Sequence, residues 1–234
     1  LAPTNRALEL IPELEDILRR IDQLSSPSTF DPMRSGRAFR IACTDYETTT
    51  LLLPLVQQLC DIAPGVRLHL INGGDLGVNS VQDQTAEIAL LSPDGEYPWA
   101  KHKMLLRESF MSLVPKTALP LTRKGYLKLR HVVLATGEPE INPVDALLDE
   151  DHRHVACRAR SFTTAIDIAC AAHWAFNVPE RLIRHVPLPE HMCLIKPVIT
   201  VPEFEVGMYW HIQTDKDPGL RWLRSCIAGL AATA

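Results

Sequence analysis

The feature that most constrains this chain is an alternation that begins at Arg37, in which short apolar runs are each followed by a helix-start signal. Residues 39–43 form the first apolar run and read as a strand. Thr44-Asp45-Tyr46-Glu47 follows with the spacing of a capping box, where a hydroxyl and a carboxylate three residues apart satisfy free N–H groups of a first helical turn. It opens an apolar helix predicted over about residues 48–62, which Pro64-Gly65 ends. Residues 66–71 alternate as a second strand, and 86–91 form a third that stops at Ser92-Pro93. Strands separated by helices need crossover connections, so this order predicts a mostly parallel sheet with helices on both faces. With 234 residues, 46% of them hydrophobic, the chain can bury the core such a fold needs, as one large domain or two small ones.

The theme then repeats. After an extended stretch at 102–114, a strand is predicted at 132–135 before Thr136-Gly137, and Asn142-Pro143 reads as an N-cap. Residues 154–158 form another strand, and Ser161-Phe162-Thr163-Thr164 opens a helix to about His173. Residues 174–178 read as a strand closed by Pro179, and 180–183 as a helical turn. Strands at 192–195 and 204–211 precede a final helix that Asp217-Pro218 caps, carrying Leu220, Trp222, Leu223, Ile227 and Leu230. The sum is two α/β units of similar size, with the chain crossing between them near Val114 and near Tyr209. Ahead of both units, Ala7, Leu10, Leu14, Ile17, Ile21 and Leu24 make a heptad seam that Pro12 interrupts. Such a seam wants either a partner helix or a place on its own domain. Residues 25–32 read as a linker.

Charge and motifs remove most function classes. Lys and Arg total 24 against 28 Asp and Glu, a net charge of -4, so these residues are poorly suited to gripping a phosphate backbone. No apolar run approaches the roughly 18 residues that span a bilayer, and residues 1–20 carry charges where a signal peptide would be apolar. The six cysteines stand singly, which fits small core hydrophobes in a reducing cytoplasm. His152 and His154 have no acidic or thiol partner at ligand spacing, so no metal site is expected. Glycine-rich phosphate loops, nucleophile elbows and paired-carboxylate signatures are absent, so no cofactor and no catalytic residue is expected.

What remains is architecture. In doubly wound sheets ligands bind beyond the carboxyl ends of the strands, near free helix N-termini. Here those ends are Thr44-Asp45-Tyr46, Ser92-Pro93, Thr136-Gly137-Glu138 and Ser161-Phe162-Thr163. Their hydroxyls suit a small polar or anionic ligand, although Thr44, Ser161 and Asp217 would each be explained equally by a capping role.

The order of segments resembles the C-terminal regulatory part of LysR-type transcriptional regulators. Leu1-Ala2-Pro3-Thr4-Asn5-Arg6-Ala7-Leu8 is similar to the start of that family's linker helix. Arg40-Ile41-Ala42-Cys43-Thr44-Asp45, Leu53-Pro54-Leu55-Val56 and Ala63-Pro64-Gly65-Val66 are similar to its first strand–helix–strand, and Glu87-Ile88-Ala89-Leu90 to a later strand. Tyr209-Trp210-His211 and Asp217-Pro218-Gly219-Leu220-Arg221-Trp222-Leu223-Arg224 resemble the end of the branch that regulates nodulation and aromatic degradation. The resemblance implies two Rossmann-like subdomains of the periplasmic-binding-protein type, joined by two crossover strands, with an effector in the cleft between them. Residues 1–36 would be the linker and dimerisation helix. Residues 37–113 with 210–234 would form regulatory subdomain I, and 114–209 subdomain II. A winged helix-turn-helix preceding Leu1 would carry the DNA contacts, in a cytoplasmic homodimer or homotetramer that is not an enzyme. A free-standing solute-binding protein shares this architecture; the heptad seam and the charged first residues favour the regulator.

The same resemblance implies an effector site of Thr44, Asp45, Glu108, Thr136, Glu138, Phe162 and Arg181, for a small aromatic or carboxylate molecule. In that reading Arg181 anchors the effector and Phe162 packs against its apolar body; Arg181 as a surface partner of Glu180 or Glu138 is the competing assignment. Glu108 and Glu138 would repel an anion unless they pair with Arg107, Arg181 or each other.

Overall fold

A computed structural model describes residues 10, 14, 15, 17, 18, 29–73, 77–92, 95–134, 144–148, 152–184 and 186–233. The first sheet grows from β1 (Ala38–Cys43), which pairs in parallel with β2 (Arg67–Asn72) and β3 (Ile88–Leu91). Two longer strands, β4 (Ala100–Glu108) and β10 (Phe204–His211), complete it in the order β2-β1-β3-β10-β4. β10 is antiparallel to both β3 and β4, so four of the five strands run in one direction and the returning β10 makes the sheet mixed. The reason is that β4 and β10 lead out of this sheet and back into it, and a returning strand runs against its neighbour.

The capping box forms as its spacing predicts. The Thr44 hydroxyl accepts the Tyr46 N–H at 3.2 Å, while Glu47 accepts the Thr44 N–H at 2.8 Å and its hydroxyl at 2.6 Å. Helix α1 (Asp45–Glu47) runs on through a π-helical turn, Thr48–Leu52, into α2 (Leu53–Ile62). Within this run the Thr48 and Thr50 hydroxyls donate to the carbonyls of Thr44 and Tyr46, each at 2.7 Å. α2 and α7 (Pro218–Ala231) bury Leu52, Leu55, Leu59, Leu220, Leu223 and Ile227 against Phe39, Ile41, Ile88 and Leu90 on one face of the sheet. The opposite face holds Ala42, Ala89 and Tyr209 under Val78 and Val81, from the short α3 (Asn79–Gln82) and its N-cap.

The second half of the chain builds two further sheets. β5 (Phe110–Pro115) lies between β8 (Phe176–Pro179) and β9 (Met192–Ile195), antiparallel to both. After α4 (Arg123–Lys128), β6 (Arg130–Leu134) pairs in parallel with β7 (His154–Ala159) and bridges to Ala175 through His131. Helix α5 (Phe162–Ala172) buries Phe162, Ala165, Ile166 and Ala169 in a core shared with Phe176 and Val178, and α6 (Glu180–Ile183) adds Leu182 and Ile183.

The crossings sit elsewhere than expected. The stretch at 102–114 is two strands, divided at Ser109, because β4 bonds to β10 while β5 bonds to β8 and β9. Val114 pairs with Cys193 in the three-stranded sheet, and Tyr209 pairs with Ala89 and His102 in the five-stranded one. The return crossing falls between Ile195 and Phe204. The polar break Arg107-Glu108-Ser109 marks the change of partner, but the stretch reads as one extended run because its sequence does not show which strands either side will pair with.

Of the heptad seam, Leu10, Leu14 and Ile17 are helical, and Leu14 and Ile17 are exposed; Ala7, Ile21 and Leu24 lie outside the described residues. Phe30, at the end of the predicted linker, is fixed against Phe39 and Trp222 at ring distances of 6.0 and 5.1 Å. Among the described residues no helix is long and apolar enough to cross a membrane.

Candidate functional site

The site is assembled at the first crossing. Glu108 ends β4, is fully buried, and accepts the Ser109 N–H at 3.0 Å on one carboxylate oxygen. Its other oxygen accepts the Tyr46 hydroxyl and Arg181 Nη1, the latter at 3.3 Å. Tyr46 reaches this point from the first turn of α1, with its ring against Phe162 at 6.1 Å and Phe204 at 5.3 Å. Burial, then the bond to Glu108 and that carboxylate's charge, push the phenol pKa well above its ordinary value. The Tyr46 hydroxyl therefore stays a donor.

Arg181 is set by strand pairing. Phe110 faces Pro179 across β5 and β8, so Glu180 and Arg181 follow directly opposite Ser109 and Glu108. The Glu180 N–H donates to the Ser109 carbonyl at 3.0 Å, and the Ser109 hydroxyl donates to the Glu180 carboxylate at 3.0 Å. Arg181 Nη1 also donates to the Arg107 carbonyl at 2.9 Å, whereas its Nε is buried without a partner among the described residues.

A second contact joins the two halves beside the first. Asp45 accepts the Thr163 N–H at 2.7 Å and the Thr163 hydroxyl at 3.0 Å. An α1 carboxylate thus meets the positive N-terminus of α5, whose own cap, Ser161, accepts the Thr164 N–H at 3.1 Å.

Outside the Tyr46–Glu108–Arg181 group lies an open cavity of about 240 Å³, lined by Arg107, Glu108, Ser109, Glu180, Arg181, Arg184 and Glu203. Each guanidinium in it meets a carboxylate of the chain. Arg107 bonds Glu205 at 2.6 Å, Arg184 bonds Glu180 at 2.6 Å, and Arg181 bonds Glu108. A second hollow of about 400 Å³, beside α4, is lined by Arg123, Lys124, Leu127, Lys128 and His152.

The structure brings five of the seven expected residues to this junction. Asp45, Glu108 and Arg181 make the contacts between halves just described. Thr44 has its hydroxyl engaged in the capping box, and its partner Glu47 is buried, with burial pushing the carboxyl up to about 7 against the opposing bonds from Thr44. Phe162 is buried between Tyr46 and Phe176 and does not line the cavity. Thr136 and Glu138 lie outside the described residues. Sequence reasoning passed over Tyr46 and Ser109 as site residues: an aromatic opening an apolar helix looks like core, and the serine that ends the polar Arg107-Glu108-Ser109 break shows no partner in the sequence. The competing assignment for Arg181 is half realised, since it does take an internal acid, but the acid is Glu108 rather than Glu180.

Residues 34–232 fit the family described as the LysR substrate binding domain. The chain is 25% identical to the HTH-type transcriptional activator NagR of a Ralstonia species, covering 99% of this chain and 80% of that protein. It is 25% identical to nodulation protein D 3 of Rhizobium leguminosarum, over 98% and 79% of the two chains. Among solved structures, a probable transcriptional regulator from Pseudomonas aeruginosa superposes with a TM-score of 0.83 at 25% identity, over 97% of this chain and 78% of that one. The regulatory domain of MexT, a transcriptional activator of the same organism, shares the fold with a TM-score of 0.74, over 84% and 98%. With its α/β sheets, its two crossings and nearly its whole length accounted for, the chain belongs to the LysR substrate-binding domain family.

Proposed function

We propose that this chain is the effector-sensing part of a transcription regulator and that its effector binds at the junction of the two sheets. The observation that carries the site is the buried Glu108, bonded at once to Tyr46 from one half and Arg181 from the other, beside a cavity in whose wall the partly exposed Arg181 side chain lies. A ligand there touches both halves, so its binding energy is sensitive to how they are placed. Thr44, Asp45 and Phe162 support the walls. Thr136 and Glu138 remain part of the proposal through their position after the strand at 130–134.

The remaining assignments follow the family. The two regulatory subdomains drawn from the sequence, 37–113 with 210–234 and 114–209, keep their cores, with their edges moved to Ser109 and to the stretch between Ile195 and Phe204, and residues 1–36 serve dimerisation. The protein works in the cytoplasm as a homodimer or homotetramer, and DNA is contacted by a winged helix-turn-helix outside this sequence. A sensing role rather than catalysis is supported by relatives that are named as transcription regulators. Relatives named as transcription regulators over most of their length speak for a regulator over a solute-binding protein.

The test is a thermal-shift screen of small polar compounds against the purified chain, followed by calorimetry of each hit on wild type and Arg181→Ala. Losing a charged hydrogen bond should weaken a true effector by about 1.5–3 kcal/mol. Equal affinities for both proteins would remove Arg181 from the site.

A further inference from the structure

Resting on that reading of the site, we propose that Glu108 is its specificity-determining residue: it fills the anion position of Arg181, so the cavity turns away a lone carboxylate and takes a neutral or dipolar ligand. Three donors hold the Glu108 carboxylate, from Tyr46, the Ser109 N–H and Arg181. The carboxylate is fully buried, while the Arg181 side chain keeps 29% of its surface exposed. Glu108 therefore sits on the inner side of the guanidinium, where an incoming anion cannot push it outward into water. Leaving would strand the Tyr46 hydroxyl without its acceptor in the core.

The rest of the lining repeats the pattern. Arg184 is taken by Glu180 and Arg107 by Glu205, with Glu203 at 4.0 Å from Arg107. A carboxylate approaching the exposed edge of Arg181 thus meets a cation already neutralised, with Glu108 and Glu180 close behind it; the attraction and the repulsion act over similar distances and largely cancel. Nor is there compensation from packing, because none of the lining side chains is apolar and Phe162 lies behind them. A carbonyl or hydroxyl oxygen meets that edge without the repulsion, and an ammonium or amide N–H on the same molecule suits the glutamates. Of the aromatic or carboxylate molecule that the resemblance implies, the carboxylate lacks a free cation here and the aromatic ring lacks an apolar wall.

The experiment uses sodium benzoate and sodium acetate as probes, at ionic strength held constant with sodium chloride, on wild type, Glu108→Gln and Glu108→Gln with Arg181→Ala. Glutamine keeps the shape and one acceptor oxygen, enough for Tyr46 or the Ser109 N–H but not both, and removes the negative charge beside the guanidinium. Thermal unfolding and calorimetry should show no benzoate- or acetate-specific stabilisation of wild type. Glu108→Gln should bind at least one probe about tenfold more tightly than wild type, and adding Arg181→Ala should abolish the gain. No gain in Glu108→Gln, or a gain that survives Arg181→Ala, overturns the proposal. So does benzoate binding by wild type that Arg181→Ala removes, an arm that decides the matter even if Glu108→Gln does not fold. Failure here leaves the sensing role standing, since the compound screen on wild type reads that separately.

Discussion

Replacing Tyr46 by phenylalanine isolates the bond on which the junction depends. The ring would remain between Phe162 and Phe204, so no cavity opens and no packing is lost. What disappears is one donor to a buried carboxylate, in a position no solvent reaches, since Tyr46 and Glu108 are both fully buried. Hydrogen bonds to charged groups contribute about 1.5–3 kcal/mol, and the remaining donors to Glu108, the Ser109 N–H and Arg181 at 3.3 Å, cannot move to cover the vacated lone pair. For a chain of this size that corresponds to a fall in Tm of roughly 3–12 °C. Urea unfolding of Tyr46→Phe, Glu108→Met and the double variant gives the coupling directly: the two changes should cost less together than separately, by about 1 kcal/mol or more. Additive losses, or a Tyr46→Phe protein within about 0.5 kcal/mol of wild type, would refute the bond and with it the fastening of α1 to the crossing strand.

Two further outcomes follow from neighbouring groups. Burial pushes the Glu47 carboxyl from its ordinary 4.5 up to about 7, so the unfolded chain releases this proton before the folded one does, and folding is progressively disfavoured as pH rises between those values. Relative to wild type, Glu47→Gln should therefore gain stability from pH 4.5 to 7, on the order of 3 kcal/mol at the plateau; urea midpoints giving the same difference at pH 5 and pH 8 would contradict this. Asp45→Ala removes the carboxylate that accepts both the N–H and hydroxyl of Thr163, and should cost about 1 kcal/mol, the value of a lost helix cap. Hydrogen exchange should quicken at the Thr163 amide and not at the Thr164 amide, which Ser161 holds; equal change at both would mean general loosening of α5 instead.

What was legible in the sequence was local. The capping box at Thr44–Glu47, the helix opened by Ser161 and the Asp217 cap each rest on residues within three positions of one another, and each forms as its spacing dictates. The strand at 192–195 and the long one at 204–211 likewise fall where apolar runs meet turn residues. The partners of those strands were not legible. β10 joins β3 and β4 by bonds between residues more than 90 positions apart, and nothing in its own pattern distinguishes a strand that crosses between sheets from one that stays. The site was legible only in part for the same reason. Asp45 and Arg181 announce themselves as charged residues at strand ends, but that Arg181 takes Glu108 rather than a ligand depends on the Phe110–Pro179 register. Tyr46 looks like core by composition, and it is core; its hydroxyl acquires a role only because a buried carboxylate arrives from 62 residues further along the chain.

The location of the site is a consequence of that topology. A chain crossing between sheets must leave one ladder and enter another, and at the step it has backbone groups that belong to neither. Here the step is Ser109, whose carbonyl and hydroxyl are taken by the N–H and carboxylate of Glu180 and whose N–H is taken by Glu108. The carbonyl of the preceding Arg107 goes to Arg181. The polar residues at 107–109 and 180–181 thus first satisfy a backbone that would otherwise be unpaired inside the protein. Having met that demand they also concentrate charge where both sheets touch, since α1 enters from the first sheet and α6 from the second. A group of residues required for the crossing is in this way already a group that a ligand between the halves must contact. Changing any one of them, or Tyr46 that bonds to Glu108, therefore alters the fastening of the halves and the chemistry offered to the ligand together.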